Sequence, residues 1–264
     1  MAAPDAITVS QLSRLVGLPE APLILDVRTD DDLATDARLL PASLRRDYRH
    51  VSSWAAEFTG RSVTVICRQG LKLSQGTAAW LRHAGAKAEY LEGGLEAWIE
   101  ANGMLIQPGR IPASDNQGRT VWVTRTRPKI DRIACPWLIR RFVDPAAVFL
   151  FAAPSEVAAV AAEFGATPFD TEGTFWSHRG KSCTFDVMLS EFGLRSDALD
   201  RLAVIVRGAD TAALDLAPQA AGLLAASLGL SRMYRDDLAQ LNAAMVLYDA
   251  LYRWARDATG ETHT

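Results

Sequence analysis

Among the residues whose type and spacing could do chemistry, Cys67 stands first. It follows a β-branched run at 63–66 and heads the segment Cys67-Arg68-Gln69-Gly70-Leu71-Lys72-Leu73-Ser74, which runs into a helical pattern opening near Ser74. A thiol at the carboxyl end of a strand, facing a helix N-terminus, occupies the place where α/β sheets bind ligands. Backbone N–H groups of a short loop can converge on the sulfur there, and the helix dipole favours negative charge. Arg68 and Lys72 add positive charge. All three effects lower a thiol pKa and supply the nucleophilic thiolate. Gly70 lets the chain turn without steric cost. The alternative is an inert cysteine buried at the strand end. Asp26 and Arg28 follow another apolar strand and read as loop support, through an ion pair or hydrogen bonds rather than direct catalysis.

A second concentration of chemistry spans 125–141, with six basic residues against one acid. Pro136 suits the first turn of a helix, which makes Cys135 the cap. A thiol in that position, near Arg132 and Arg140, has a lowered pKa and meets an oxyanion. The alternative is a solvated basic face with a buried capping cysteine. Further on, His178, Cys183, Asp186 and Asp210 are donors of the types that bind zinc or iron, so a metal in this half is a candidate cofactor. Their spacing matches no established pattern such as paired C-x-x-C. The competing expectation is that His178 and Asp186 hydrogen-bond across a helix–loop junction.

These side chains need elements to hold them. From residue 7 to 104, apolar runs at 22–27 and 63–66 alternate with helical segments at 10–16, 52–58, 74–84 and 95–102, which predicts a parallel sheet covered on both faces. Residues 108–118 bring prolines, glycines and polar residues with little apolar content, and read as a linker between a domain at 1–107 and another at 119–264. The second half opens as a small βαβα unit: strands 120–124 and 147–151, helices 136–142 and 155–164. Mainly helical segments follow at 199–206, 218–228 and 236–256. In the last, Leu238, Leu241, Met245, Tyr248, Leu251 and Tyr252 line one face, as core packing requires.

Composition bounds the function. Hydrophobic residues make up 49% and charged residues 22% of 264, and the net charge is −3, so no global field points to nucleic acid or membrane. The first six residues lack a leader's basic and apolar regions, and no apolar run is long enough to span a bilayer. Three widely spaced cysteines fit a reducing cytoplasm better than a disulfide framework. No helix-turn-helix pattern with a basic recognition helix is evident.

The first half resembles the rhodanese family. The residues that carry the resemblance are Asp26-Val27-Arg28, the six-residue loop from Cys67 to Lys72, and Glu92-Gly93-Gly94 followed by Trp98 and Gly103, over residues 5–106. It implies an α/β fold, a Cys67 persulfide and transfer of sulfane sulfur from a small donor such as thiosulfate to a thiophilic acceptor. Where the family has Gly-His-Ile-Pro-Gly-Ala, this chain has Arg38-Leu39-Leu40-Pro41-Ala42-Ser43. Relatives of the fold that handle phosphoryl groups use a loop ending in Arg. Leu73 stands six residues after Cys67 and cannot fork onto phosphate, so sulfur transfer is the expected chemistry.

The second half resembles the chromate-resistance domain family of bacteria. The motifs are Asp131-Arg132-Ile133-Ala134-Cys135-Pro136-Trp137-Leu138-Ile139-Arg140-Arg141-Phe142, His178-Arg179-Gly180, Cys183-Thr184-Phe185-Asp186, Ile205-Val206-Arg207-Gly208-Ala209-Asp210-Thr211 and Tyr248-Asp249-Ala250-Leu251-Tyr252. That resemblance implies a role in chromate stress. Together the halves read as a sulfurtransferase fused to a chromate-resistance domain, the alternative being a chromate-responsive sensor or regulator of an operon.

Overall fold

The computed structural model describes residues 5–262. Residues 1–4, where most of the leader reading falls, lie outside the described part. The chain divides into two compact units, one ending at Pro108 and the other made of Gly109–Arg140 and the described residues from Asp144 onward, with Arg141–Val143 grouped with the first.

The first unit begins β1 (Ala6–Ile7), α1 (Val9–Ser13), β2 (Leu23–Asp26), α2 (Asp30–Thr35), β3 (Ser43–Arg45), α3 (Val51–Trp54). It continues with β4 (Ser62–Ile66), α4 (Lys72–His83), β5 (Lys87–Leu91) and α5 (Gly94–Glu100). The five strands form one sheet in the order β1-β5-β4-β2-β3, and every pairing is parallel. This is the α/β architecture that the alternating pattern predicts. On one face Leu25, Val27, Val63, Val65 and Ala88 pack with Val51, Trp54, Ala55 and Phe58 and with Ala78 and Leu81 of α4. On the other, Ile24, Ile66 and Leu91 are also buried, so the sheet is covered on both sides. The central position falls to β4, and Cys67 is the residue that leaves its carboxyl end.

The second unit has a short parallel sheet in the order β7-β6-β8, from β6 (Val121–Arg125), β7 (Val148–Ala152) and β8 (Thr167–Pro168). Between the strands run α6 (Asp131–Leu138) and α7 (Val157–Phe164). After them come α8 (Thr184–Phe192), α9 (Asp197–Asp210), α10 (Ala220–Met233) and α11 (Asp237–Asp257), the mainly helical remainder expected from periodicity. Val123 packs on Val157 and Ala166, while Trp122 meets Phe169 and Trp176 edge-on. From α11, Tyr248 and Tyr252 pack against Trp137 of α6, and Leu241 and Met245 are buried; Leu238 is instead exposed.

One local expectation needs correction. Helix α6 starts at Asp131, not Pro136, so Pro136 lies inside the helix and Cys135 is no cap. A proline there leaves the Arg132 carbonyl without its helical donor, a fault tolerated because the helix is short and its first turn is anchored by tertiary contacts. Within the stretch read as a linker, the chain turns at 115–119. Asp115 accepts from the N–H groups of Gln117 and Arg119 and pairs with the Arg119 guanidinium at 2.8 Å, closing a tight turn that carries Gly118 at φ +76°. Among the described residues, no helix is long and apolar enough to cross a membrane.

Candidate functional site

In the first unit the Cys67 loop is built against a glycine turn. The Cys67 and Arg68 carbonyls accept from the N–H groups of Leu95 and Glu96, both at 3.0 Å, so the first turn of α5 holds the loop's backbone. Gly70 and Gly94 both have positive φ, +68° and +60°. A Cβ on Gly94 would lie 2.4 Å from the Cys67 oxygen and 2.4 Å from the Gly70 nitrogen, and one on Gly70 would lie 2.7 and 2.8 Å from the Gly93 and Gly94 nitrogens. Only glycine fits at either place. Gly103 does the same for Trp98: its missing Cβ makes room for the indole, whose N–H donates to the Met104 carbonyl at 2.8 Å. The Gly-Gly…Trp…Gly spacing is thus a scaffold for the loop.

Cys67 itself is 4% exposed, and its Sγ lies 3.2 Å from the Ser74 Oγ. Ser74 also donates to the Leu71 carbonyl, and the Gln75 side chain donates to that of Gly70, which fixes the loop onto the start of α4. That helix begins at Lys72, two residues earlier than predicted. The charge of Arg68 is engaged elsewhere than at the sulfur: its guanidinium is held by Glu96 at 2.6 Å and faces Asp32 at 3.9 Å. Gln69, Leu71 and Lys72 are exposed on the loop's outer side.

The Asp26–Arg28 pair is buried, at 2.6 Å. The Arg28 fork also donates to the carbonyls of Asp36 (2.7 Å) and Arg38 (2.8 Å). It therefore braces the 36–38 segment and not the 67–72 loop, a correction to the support role expected of it. Asp26 still stands beside the site, since it registers with Ile66 across the β2–β4 pairing.

The second unit gathers a different set. Nε2 of His178 lies 3.1 Å from Asp210 Oδ2, 3.4 Å from Asp131 Oδ2 and 3.5 Å from Asp170 Oδ1. Asp131 opens α6, Asp210 closes α9, and Asp170 follows β8, so three separate elements converge on one imidazole. The backbone N–H groups of Thr184 and Phe185, at the start of α8, donate to Asp131 at 2.5 and 3.4 Å. The Thr184 hydroxyl donates to Asp170 at 2.9 Å. Arg125 and Arg132 hold the far oxygen of Asp170 at 3.1 and 3.3 Å.

Backbone strain sits at this place too. Ile130, just before Asp131, has φ +35°, and Asp170 has φ +49°. For a β-branched residue such a φ is a genuine outlier, stable only where its surroundings enforce it. Here the Tyr248 hydroxyl donates to the Ile130 carbonyl at 3.0 Å and the Gln240 amide to that of Pro128 at 2.6 Å.

Electrostatics follow from depth and crowding. Burial raises the Asp131 carboxyl above the usual carboxylate range, against the pull of His178. Burial, then the charges of Asp131 and Asp170, push Asp210 up to about 7. The hydrogen bond to Asp131 pushes His178 up to about 9. Burial lowers Arg132 from the usual guanidinium value.

Of the residues expected to meet an oxyanion, the structure brings none together. Cys135 is fully buried, and burial followed by the nearby Asp131 raises its thiol far up, the reverse of the expected lowering. Arg140 donates to Asn242 at 3.0 Å and lies over the Phe149 ring. Arg132 is engaged with Asp170. Of the metal candidates, His178 and Asp210 meet, but Cys183 and Asp186 do not join them as ligands. Cys183 is the buried N-cap of α8, and burial raises its thiol. Asp186 accepts from the Cys183 N–H at 3.0 Å and from Arg207 at 2.8 Å rather than from His178, which faces Asp131, Asp170 and Asp210 instead. Sequence reasoning missed Asp131 and Asp170. Asp131 heads the longest motif of this half, and a carboxylate at a helix start beside basic residues was the available signal.

The sequence family described as ChrB, C-terminal domain, matches residues 122–255. This chain belongs to that family. The Protein ChrB of Cupriavidus metallidurans is 36% identical over 180 residues, which are 64% of this chain and 53% of that protein. The chain therefore spans about half the length of this curated relative. Over the N-terminal part the chain is similar to solved structures of rhodanese type. A rhodanese-related protein from Thermoplasma volcanium is 22% identical with a TM-score of 0.34, covering 38% of this chain and 96% of that one. A rhodanese homologue from Thermus thermophilus is 30% identical with a TM-score of 0.26, covering 35% and 98%. A yeast protein tyrosine phosphatase of the rhodanese family is 15% identical with a TM-score of 0.27, covering 38% and 88%. The ChrB family match encloses Asp131, Asp170, His178 and Asp210, while Cys67 lies outside it.

Proposed function

We propose that the first unit is a sulfurtransferase in which Cys67 carries sulfane sulfur as a persulfide. The observation that supports this best is the placement of the thiol. It leaves the central strand of a parallel sheet, 3.2 Å from the Ser74 hydroxyl, under a loop whose glycines admit no other residue. Among the described residues, no protein acceptor takes the backbone N–H groups of Arg68, Gln69, Gly70 or Leu71. Those donors remain for a negatively charged sulfur.

The chemistry balances simply. The Cys67 thiolate attacks the outer sulfur of thiosulfate, an S–S bond forms as the donor's S–S bond breaks, and sulfite leaves with the electron pair. A thiophilic acceptor such as cyanide then takes the outer sulfur as thiocyanate, and the thiolate returns. At 4% exposure Cys67 suits a small donor better than a protein one. Because the second unit belongs to the ChrB family, we read this chemistry as serving chromate stress, the role that the resemblance implies.

The test is sulfur transfer from thiosulfate to cyanide by the full chain and by Cys67→Ser. A serine hydroxyl forms no persulfide, so the variant should lose activity while its unfolding midpoint stays near that of the parent. Activity that persists in Cys67→Ser would place the nucleophile elsewhere.

A further inference from the structure

We propose that Asp131, Asp170, His178 and Asp210 form a binding site in the second unit for one divalent first-row transition-metal ion. This goes beyond the sulfur chemistry of Cys67 and does not depend on it.

The distances make the case. A charge-assisted N–H···O bond between an imidazolium and a carboxylate runs at about 2.7–2.9 Å. Here Nε2 stands 3.1, 3.4 and 3.5 Å from oxygens of three carboxylates, and one N–H cannot donate well to all of them. For ligands bonded at about 2.1 Å, neighbouring donor atoms are separated by about 3.0 Å around an octahedral ion and about 3.4 Å around a tetrahedral one. The three separations from Nε2 lie in or next to that range. The donor atoms of Asp131, Asp170 and His178 lie within 4.8 Å of one another, close enough to be drawn onto one ion, and Asp210 joins them through its 3.1 Å contact with His178.

The surroundings are of the kind that metal ligands need. Ligating carboxylates are typically oriented by outer hydrogen bonds. Asp131 has two from the start of α8, and Asp170 has the Thr184 hydroxyl on one oxygen and two guanidiniums on the other. On Asp131 and on Asp170 the oxygen that turns to His178 is the one that accepts from Thr184, so the start of α8 sets where both donor atoms stand. The Asp131 side chain is fully buried and that of Asp170 nearly so, whereas His178 is 40% exposed, which gives an ion a way in from solvent. One imidazole nitrogen with carboxylate oxygens suits manganese(II), iron(II) or zinc(II) better than the all-oxygen calcium shell or an all-thiolate zinc site.

The test uses the full chain, stripped with a chelator and titrated with manganese(II) and zinc(II), with binding followed by calorimetry and the bound metal counted by mass spectrometry. One equivalent should bind to the parent. His178→Gln keeps the residue's size at a partly exposed position and should weaken binding at least tenfold, as should Asp210→Asn. Asp186→Asn, on the neighbouring but separate pair with Arg207, should leave the affinity unchanged. Circular dichroism of each variant separates loss of a ligand from loss of the fold. Absence of saturable binding by either metal, or equal affinity in folded His178→Gln, would overturn the proposal.

Discussion

Gly94→Ala tests how the Cys67 loop is built. The substitution adds one methyl group at φ +60°, where it would stand 2.4 Å from the Cys67 carbonyl oxygen, 2.4 Å from the Gly70 nitrogen and 2.7 Å from the Arg68 oxygen. All three are backbone atoms, so no side chain can swing aside. Forcing an L-residue into the left-handed region costs about 1–2 kcal/mol. Overpacking a tight contact costs about 1–3 kcal/mol more. The sum, about 2–5 kcal/mol, is a large fraction of the stability of a domain of this size. For a unit of roughly 100 residues, 1 kcal/mol corresponds to a Tm shift of about 4–8 °C, so the variant should melt at least about 8 °C lower. The loop should also be displaced, and sulfur loading of Cys67 should fall with it. Calorimetry provides the comparison, with Gly76→Ala as the control. Gly76 lies inside α4 with ordinary φ and nothing within 4 Å of the added Cβ, so alanine there should be neutral or stabilise by up to about 1 kcal/mol. If Gly94→Ala melts with the parent, the loop is not held as described.

Further outcomes follow from the buried charges and thiols. Arg28→Met leaves Asp26 buried and unpaired, and should destabilise by about 3–5 kcal/mol in denaturant unfolding, whereas the double replacement with Asp26→Leu should recover part of that loss. An equal loss in both would show that the pair itself carries the stability. In chelator, stability should fall as pH rises. The folded state holds the Asp210 proton to about 7 and the His178 proton to about 9, each above its unfolded value of 3.8 or 6.5, so the native state binds more protons across those windows. The His178 contribution is complete below about pH 6.5 and lost as pH passes about 9, and His178→Gln should flatten that upper slope in denaturant midpoints. An unchanged slope would remove the pairing from the account. Finally, Cys135 and Cys183 should resist alkylation in the native chain at neutral pH and react once it is unfolded, because burial raises both thiols; rapid native labelling of Cys135 would contradict its placement.

The parallel sheet was legible because β2 and β4 are continuous apolar runs, as strands buried on both faces must be. β5 escaped notice: Lys87-Ala88-Glu89-Tyr90-Leu91 buries Ala88 and Leu91 but exposes Lys87 and Glu89, and those charges hide it. β1 and β8 have two residues each, too few for any periodicity. The Cys67 loop could be read because its parts are local, except for the α5 turn, which the Gly-Gly signature supplied. The start of α6 was misplaced because Pro136 mimics a first-turn proline, while the real boundary at Ile130 has no capping side chain. The Asp–His cluster was the least legible. Asp131 meets Thr184 across 53 residues and Asp210 across 79, so only tertiary packing brings the carboxylates together.

Mass spectrometry of the full chain after thiosulfate treatment tests most directly whether Cys67 carries sulfane sulfur. One added sulfur atom per chain is expected, located on the peptide that contains Cys67, removed by cyanide, and absent from Cys67→Ser. No added sulfur, or sulfur on Cys135 or Cys183 instead, would contradict it.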